Sequence, residues 1–173
     1  MIIREMINGT IQVNVAEPVF EQKYDLIVIG LGTAGAMSLI TAGREGLSVL
    51  GIEQLYGMGG TGTIGSVCAY YYGAKGGLYE EIDEKAAKLD QALFAKKSWR
   101  ESKLMVFERE ARACGAHIKY HSIVTGVYME DNKVMGLRIF SNGIHTDVCA
   151  DKFIDATGEA VICHLAGCES SIG

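Results

Sequence analysis

A glycine pattern in the first quarter of the chain could bind the phosphates of a dinucleotide. Residues 30–35 read Gly-Leu-Gly-Thr-Ala-Gly, which fits the spacing GxGxxG. In such a turn the first glycine permits a tight bend, the second lets a pyrophosphate approach the backbone, and the third lets the following helix pack closely on a sheet. The free N–H groups at the start of that helix then face the anion.

An acidic residue follows at a spacing that dinucleotide sites use. Glu53 lies eighteen positions after Gly35, at the end of a second predicted strand. A carboxylate there can accept hydrogen bonds from both hydroxyls of an adenosine ribose, and its charge repels a 2′-phosphate, which argues against NADP. The competing interpretation makes Glu53 a solvated acid at a strand end and the glycines a plain turn.

The elements around this motif form a strand–helix–strand unit. Tyr24–Ile29 is a continuous apolar strand typical of parallel sheets, Thr33–Glu45 has helical spacing, and Ser48–Glu53 is a second strand. Their combined length of about thirty residues suits a βαβ crossover. The run Leu26–Gly43 is uncharged and long enough to cross a membrane, but its glycines favour a buried strand running into a helix.

The remaining pattern predicts an N-terminal extension and a larger α/β domain. Ile2–Ile7 and Thr10–Val15 flank Asn8-Gly9, a strong hairpin signal, so we expect a hairpin extension over 1–20 and one dinucleotide-binding domain over 21–173. A glycine-rich segment covers 54–79. Beyond it we predict helices at Glu81–Lys97, Arg100–Cys114 and Glu159–Ala166, and strands at His117–Tyr120, Ile123–Glu130, Lys133–Phe140, Ile144–Cys149 and Phe153–Ala156.

Composition excludes several classes of protein. The chain has 173 residues, 49% of them hydrophobic, which suits one domain with a real core and excludes disorder. A net charge of −5 offers no basic face for nucleic acid or an anionic membrane, so neither is an expected partner. Five scattered cysteines without a CxxC pair favour reduced thiols in a cytoplasmic protein over disulfides or a metal site, and no secretory signal is visible.

Several stretches together resemble one protein family. Residues 24–54, the segment Gly-Gly-Thr-Gly-Thr-Ile-Gly at 59–65, Ser-Ile-Val-Thr-Gly-Val at 122–127 and Asp-Ala-Thr-Gly-Glu at 155–159 are similar to the N-terminal part of the FAD-dependent oxidoreductases among the glutathione-reductase-like flavoproteins. The resemblance implies FAD as cofactor. It also implies a three-layer Rossmann-like α/β domain, with a parallel sheet and a small antiparallel β-meander.

In that family the Gly-Gly-Thr segment runs along the pyrophosphate, the strand matching Ile123-Val124 faces the adenine, and the Thr-Gly segment closes back on the fold. A long, flat dinucleotide needs a groove with little side-chain bulk, which a glycine-rich segment supplies; the alternative is a flexible surface loop. The implied cofactor-binding residues are Gly30, Gly32, Thr33, Ala34, Gly35, Glu53, Gln54, Gly59, Gly60, Thr61, Gly62, Val124, Ala156, Thr157 and Gly158.

The sequence also departs from the family. Full-length members continue past the Thr-Gly segment into a substrate domain and then return to the flavin, so we expect a missing C-terminal segment or a second polypeptide in a hetero-oligomer to complete the site. No catalytic acid or base can be transferred. The expected function is hydride transfer through flavin N5 with a small-molecule substrate. The alternatives are a non-catalytic or electron-relay subunit and, more weakly, an NAD-dependent dehydrogenase.

Three further features have competing interpretations. Cys68 could lie near a flavin, but a lone cysteine is more typical of a packed thiol. The residues Tyr70-Tyr71-Tyr72 either border the flavin ring or form a strand with partly buried rings, and both interpretations stay open. His164, in the final predicted helix, is expected in the core rather than at a metal.

Overall fold

The described residues of the computed structural model, 1–67, 76–95 and 98–169, form one eight-stranded sheet flanked by four α-helices. The strands are β1 (Ile2–Ile7), β2 (Thr10–Val15), β3 (Gln22–Ile29), β4 (Val49–Ile52), β5 (His117–Lys119), β6 (Ser122–Glu130), β7 (Lys133–Ser141) and β8 (Ile144–Asp155). The helices are α1 (Thr33–Arg44), α2 (Gly77–Phe94), α3 (Trp99–Ala113) and α4 (Val161–Ala166).

The strand order is β2-β1-β6-β7-β8-β3-β4-β5. Strands β8, β3, β4 and β5 run parallel, and α1 connects β3 to the adjacent β4, which confirms the predicted βαβ unit. The other pairs are antiparallel, and β1 and β2 form the predicted hairpin around Asn8-Gly9. Both turn residues have positive φ, the geometry that favours Asn-Gly. The hairpin joins the sheet because β1 pairs with β6.

Strand β8 joins the two halves of the sheet. Its first part pairs antiparallel with β7, from Ile144 to Cys149, and its later part pairs parallel with β3, up to Asp155. The sequence predicted two separate strands here, and this was wrong because the charged pair at 151–152 broke the apolar pattern. Those side chains lie at an exposed position, where Asp151 pairs with Lys23 at 2.9 Å, so the backbone continues without interruption.

Two apolar cores on opposite faces of the parallel strands give the three layers. The first core packs helices on the sheet and includes Leu26, Val28, Leu39, Ile40, Val106 and Phe107. The second packs the antiparallel meander and α4 on the other face, with Ile27, Ile29, Val127, Met129, Leu137, Ile139, Ile162 and Leu165. Adjacent residues of β3 therefore enter different cores, as expected of a strand buried on both faces. The α/β class with a meander is confirmed.

Other sequence expectations differ in detail. Helix α2 begins at Gly77, four residues before the predicted start, and ends at Phe94. His164 is exposed, not in the core, because the single inward face of the short α4 is taken by Ile162 and Leu165. Cys68 and Tyr70-Tyr71-Tyr72 lie outside the described residues.

The long uncharged run Leu26–Gly43 divides between the end of β3 and most of α1. Across the described part of the chain, every helix falls short of the length and apolar character that a bilayer crossing requires.

The junction between β8 and α4 is fixed by Asp155. Its Oδ1 accepts hydrogen bonds from the Thr157 backbone and hydroxyl, at 3.1 and 2.7 Å. Its Oδ2 accepts the N–H groups of Ile162 and Cys163, at 2.7 and 3.1 Å, which satisfies two donors of the first helical turn. Burial tends to raise the pKa of Asp155, but these hydrogen bonds outweigh burial and hold the pKa below its usual value.

We predict that Asp155→Asn lowers the free energy of unfolding at neutral pH by about 1–3 kcal/mol, because an amide NH₂ would face two N–H donors. Since the folded pKa is depressed, the stabilisation by Asp155 is complete above the pKa of the unfolded carboxyl and is lost as pH falls through the folded pKa. Urea unfolding at neutral and decreasing pH should therefore show the difference between the two proteins narrowing in acid.

The matched control is Asp151→Asn on the same strand, whose carboxylate is 60% exposed and pairs with a lysine that is 67% exposed. Exposed ion pairs contribute little to stability because water screens them, so this variant should unfold almost like the parent. Equal destabilisation by the two variants would contradict the capping role.

Candidate dinucleotide-binding site

A cavity of about 720 Å³ opens at the carboxyl ends of β3, β4 and β8. The glycine turn at 30–35 follows β3, Glu53 follows β4, and Ala156 follows β8. Parallel strands bring these segments together because their carboxyl ends meet at one edge of the sheet. Open α/β sheets bind ligands in the crevice at this edge.

Most of the predicted site residues line this cavity. They are Gly30, Gly32, Thr33, Ala34, Glu53, Gln54, Gly60, Thr61, Val124, Ala156, Thr157 and Gly158. The other three, Gly35, Gly59 and Gly62, lie outside the lining and serve the packing of the turn and the glycine-rich segment.

The turn after β3 depends on close backbone contacts. Gly30 has φ +79°, and a Cβ there would lie 2.9 Å from the Thr157 backbone. A Cβ on Gly35 would lie 1.9 Å from the Gly30 carbonyl oxygen, so α1 can approach the turn only without that side chain. These two glycines are therefore required for packing, whatever ligand is bound.

Gly32 has a different environment. A Cβ there would meet no protein atom within 4 Å, so the missing side chain leaves open space on the cavity side. Gly32 also precedes α1, whose first turn has neither a side-chain cap nor an acidic residue. The start of a helix carries N–H groups without intrahelical partners and a partial positive charge. This position combines room for an anion with donors to hold it.

The glycine-rich segment is anchored on the turn. Gly59 donates its N–H to the Leu31 carbonyl at 2.8 Å, and the Thr33 hydroxyl donates to the Gly59 carbonyl at 3.0 Å. The buried Thr63 hydroxyl donates to the Met58 carbonyl at 2.6 Å. A 3-10 turn at Gly60–Gly62 follows. The described part of this segment, up to residue 67, is thus hydrogen-bonded to the motif rather than a free surface loop.

Glu53 connects β4 to the same turn. The residue is 7% exposed; its Oε2 accepts the Leu31 N–H at 2.7 Å and its Oε1 accepts the Leu55 N–H at 2.9 Å. A carboxylate has about four lone-pair positions, so two hydrogen bonds leave acceptor capacity toward the cavity. The sequence pattern predicts a ribose contact for Glu53 but does not reveal its structural role. A GxGxxG motif alone gives no signal for that role.

The cavity contains further residues that the predicted set omitted. Ile64 and Gly65 extend the glycine-rich part of the lining, Ser122 and Ile123 begin β6, and Glu159 follows β8. All five stand within stretches that carried the family resemblance, so the signal was present in the sequence. Their contact with the cavity depends on the course of the loops.

The charge of the lining is unusual for a site that would hold phosphates. Among the described lining residues the only charged side chains are Glu53 and Glu159, and none is Lys, Arg, His or Cys. A phosphate here would be held by backbone N–H groups and hydroxyls. The described part of the chain also places no three His, Cys, Asp or Glu side chains close enough together to hold a metal ion.

Curated proteins include relatives of this chain. Two relatives named digeranylgeranylglycerophospholipid reductase, from Methanosarcina mazei and Methanosarcina acetivorans, are each 26% identical over 88% and 86% of this chain. The matches cover 42% and 41% of those proteins, so the chain spans about two-fifths of their length.

Solved structures show the same fold. A geranylgeranyl bacteriochlorophyll reductase-like protein from Thermoplasma acidophilum matches with a TM-score of 0.64 and 26% identity, over 88% of this chain and 44% of that one. A 3-ketosteroid dehydrogenase from Rhodococcus jostii matches with a TM-score of 0.59 at 15% identity, over 81% of this chain and 47% of that one, which shows likeness of fold alone. Both confirm a Rossmann-like domain.

The model of the family described as FAD dependent oxidoreductase matches residues 25–173, from the middle of β3 to the last residue of the sequence. The match includes the glycine turn, Glu53 and the segment after β8. The chain therefore belongs to the FAD-dependent oxidoreductase family, whose cofactor is FAD.

Proposed function

We propose that this chain is the FAD-binding portion of a flavin-dependent oxidoreductase that acts on a small molecule. The observation that carries the proposal is the cavity itself, which is lined both by the bare Gly32 at the start of α1 and by the buried Glu53. A bound FAD would supply a two-electron centre that exchanges a hydride with the substrate through its N5 atom.

The pyrophosphate of FAD fits the region around Gly32. The open space above that residue admits a phosphate, and the first turn of α1, which lines the cavity at Thr33 and Ala34, carries N–H groups without intrahelical partners. Gly158, which also lines the cavity, has no protein atom within 4 Å of its missing Cβ. Residues of this chain can therefore hold the phosphates without any cationic side chain.

The adenosine end fits the wall that contains Glu53. Its carboxylate keeps acceptor capacity for ribose hydroxyls, and its negative charge disfavours a 2′-phosphate. The start of β6, with Ser122 and Val124, lies on the same cavity and offers backbone groups to the adenine edge. Because Glu53 also holds the turn, it would orient the phosphate-binding backbone and the ribose together.

The reaction itself requires groups from outside the described lining. That lining has no Lys, Arg, His or Cys and offers a substrate no side chain suited to proton transfer besides two carboxylates. Exposed apolar side chains occur in segments that form the cavity wall, with Ile123 46% exposed and Leu55 41% exposed. We infer that a further segment of a longer protein, or a second polypeptide, covers this rim and completes the site.

The relatives favour reduction as the reaction class. Both Methanosarcina proteins are named reductases, and this chain aligns with about two-fifths of each. Their substrates belong to the whole proteins, so we extend to this chain only the transfer of electrons from FAD to a substrate. The second candidate function, a non-catalytic or electron-relay module, is favoured because the described lining offers two carboxylates as its only side chains suited to proton transfer.

The first test is binding and turnover of FAD. We expect the purified chain to bind FAD when titrated with it, with quenching of flavin fluorescence, and to discriminate against NADP. Photoreduction of the bound flavin, followed by reoxidation with candidate acceptors, separates an enzyme from a module. A protein that binds NAD and not FAD would contradict the proposal, whereas tightly bound flavin that no acceptor reoxidises would favour the module.

The second test substitutes one residue at the proposed phosphate-binding position. Gly32→Asp places a carboxylate in the open space, so we expect FAD affinity to fall by at least about tenfold through like-charge repulsion. The same variant creates a favourable N-cap with a negative charge at a helix start, so the apo protein should unfold at the same or a higher temperature. Fluorescence titration and thermal unfolding measure the two effects.

These opposite signs distinguish loss of a ligand from loss of the fold. The matched control is Thr41→Asp on the exposed side of α1, two turns beyond Gly32, which adds the same charge away from the cavity. It should retain FAD. Undiminished binding by Gly32→Asp would show that the phosphates lie elsewhere.

A further inference from the structure

Strand β2 is an unprotected edge of the sheet. It is the first strand in the order β2-β1-β6-β7-β8-β3-β4-β5, and within the described chain its one strand neighbour is β1. Its sequence Thr-Ile-Gln-Val-Asn-Val contains no charge and no proline, and Val13 and Val15 are 52% and 87% exposed. Edge strands are normally shortened or charged because their free backbone groups recruit other strands. The opposite edge, β5, has only three residues.

The register fixes which backbone groups of β2 are free. Ala16, just after β2, donates its N–H to the Met1 carbonyl. In the register of the hairpin, the residues of β2 that form hydrogen bonds with β1 are therefore Thr10, Gln12 and Asn14. Hydrogen-bonded and non-hydrogen-bonded pairs alternate along an antiparallel ladder. The N–H and C=O groups of Ile11, Val13 and Val15 therefore point away from β1, toward the open edge.

We propose that β2 pairs with β2 of a second copy of this chain, antiparallel, about a two-fold axis at Val13. In this register Val13 faces its own counterpart, and Ile11 faces Val15 of the other copy. All three pairs are of the hydrogen-bonded type, so six backbone groups on each strand find partners. The resulting dimer has one continuous sheet across both copies.

The side chains are compatible with themselves in this register. Ile11 packs against the second core, and Val13 and Val15 lie on the same sheet face because side chains alternate along a strand. Pairing therefore extends an apolar face across the axis. On the other face Gln12 meets Asn14 of the second copy, an amide pair, and no like charges are opposed. A two-fold interface uses one patch twice, so it closes at a dimer and does not propagate.

The position of the hairpin argues for a separate role from FAD binding. Residues 1–15 precede the region that the family model matches, 25–173. No residue of β1 or β2 is part of the described lining of the cavity, and the cavity reaches β6 at residues 122–124, before the part of β6 that pairs with β1. The proposal therefore does not depend on the proposed function, and flavin binding need not change when β2 is altered.

The test places a charged side chain at the two-fold axis. Val13→Lys would oppose two ammonium groups across the two-fold, so its dimer dissociation constant should rise at least about tenfold. Gln12→Lys adds the same charge one residue away, where it faces Asn14 and not itself, and should remain dimeric. Sedimentation equilibrium of each protein over a concentration series measures the constants, and thermal unfolding checks that each variant folds.

A mixture supplies the second measurement. Val13→Lys and Val13→Glu, each monomeric alone, should form a heterodimer when combined, because opposite charges then meet at the axis. A parent chain that stays monomeric at all concentrations would overturn the proposal, as would a dimer that Val13→Lys and Gln12→Lys weaken equally. Failure of the mixture to restore the dimer would also place the interface elsewhere.

Discussion

The candidate site depends on one buried carboxylate. Glu53 is 7% exposed. One of its oxygens accepts the N–H of Leu31 in the turn after β3, and the other accepts the N–H of Leu55, two residues further along the chain. A buried charge is stable only when it is paired or hydrogen-bonded, so these contacts hold the chain around it in place. Leu31 receives this contact at its N–H and accepts the Gly59 N–H at its carbonyl. The turn and the glycine-rich segment are thus joined through one residue.

Strand β8 likewise connects two parts of the structure. This strand pairs with the meander through its first half and with the central parallel strand through its second half, so the two apolar cores share a rigid element. At the end of this strand Asp155 accepts N–H groups of α4. The chain then passes so close to the turn after β3 that a Cβ on Gly30 would lie 2.9 Å from the Thr157 backbone. The cavity is therefore bounded by strand ends whose relative positions are set by the sheet, and its lining includes exposed apolar side chains, Leu55 after β4 and Ile123 at the start of β6.

Much of this arrangement could be predicted from local sequence. The hairpin around Asn8-Gly9 and the unit from Tyr24 to Glu53 have patterns that depend on neighbouring residues alone, and both are confirmed. The break predicted within β8 was wrong, because charged residues on an exposed face do not interrupt pairing that the other face maintains. His164 was misplaced for a related reason: a helix of six residues has one inward face, and periodicity does not show which residues occupy it.

The sequence by itself determined the type of turn and the presence of an acid downstream, since these depend on residue types at short spacing, and the stretches at 59–65, 122–127 and 155–159 added the resemblance to the family. Only the tertiary structure decided that Glu53 holds the turn, that Gly32 faces open space whereas the Gly30 carbonyl occupies the place of a Gly35 side chain, and that β2 has one strand neighbour among the described residues. The physical reason is that these properties are set by contacts between segments distant in the chain, and a local pattern carries no information about which atoms meet.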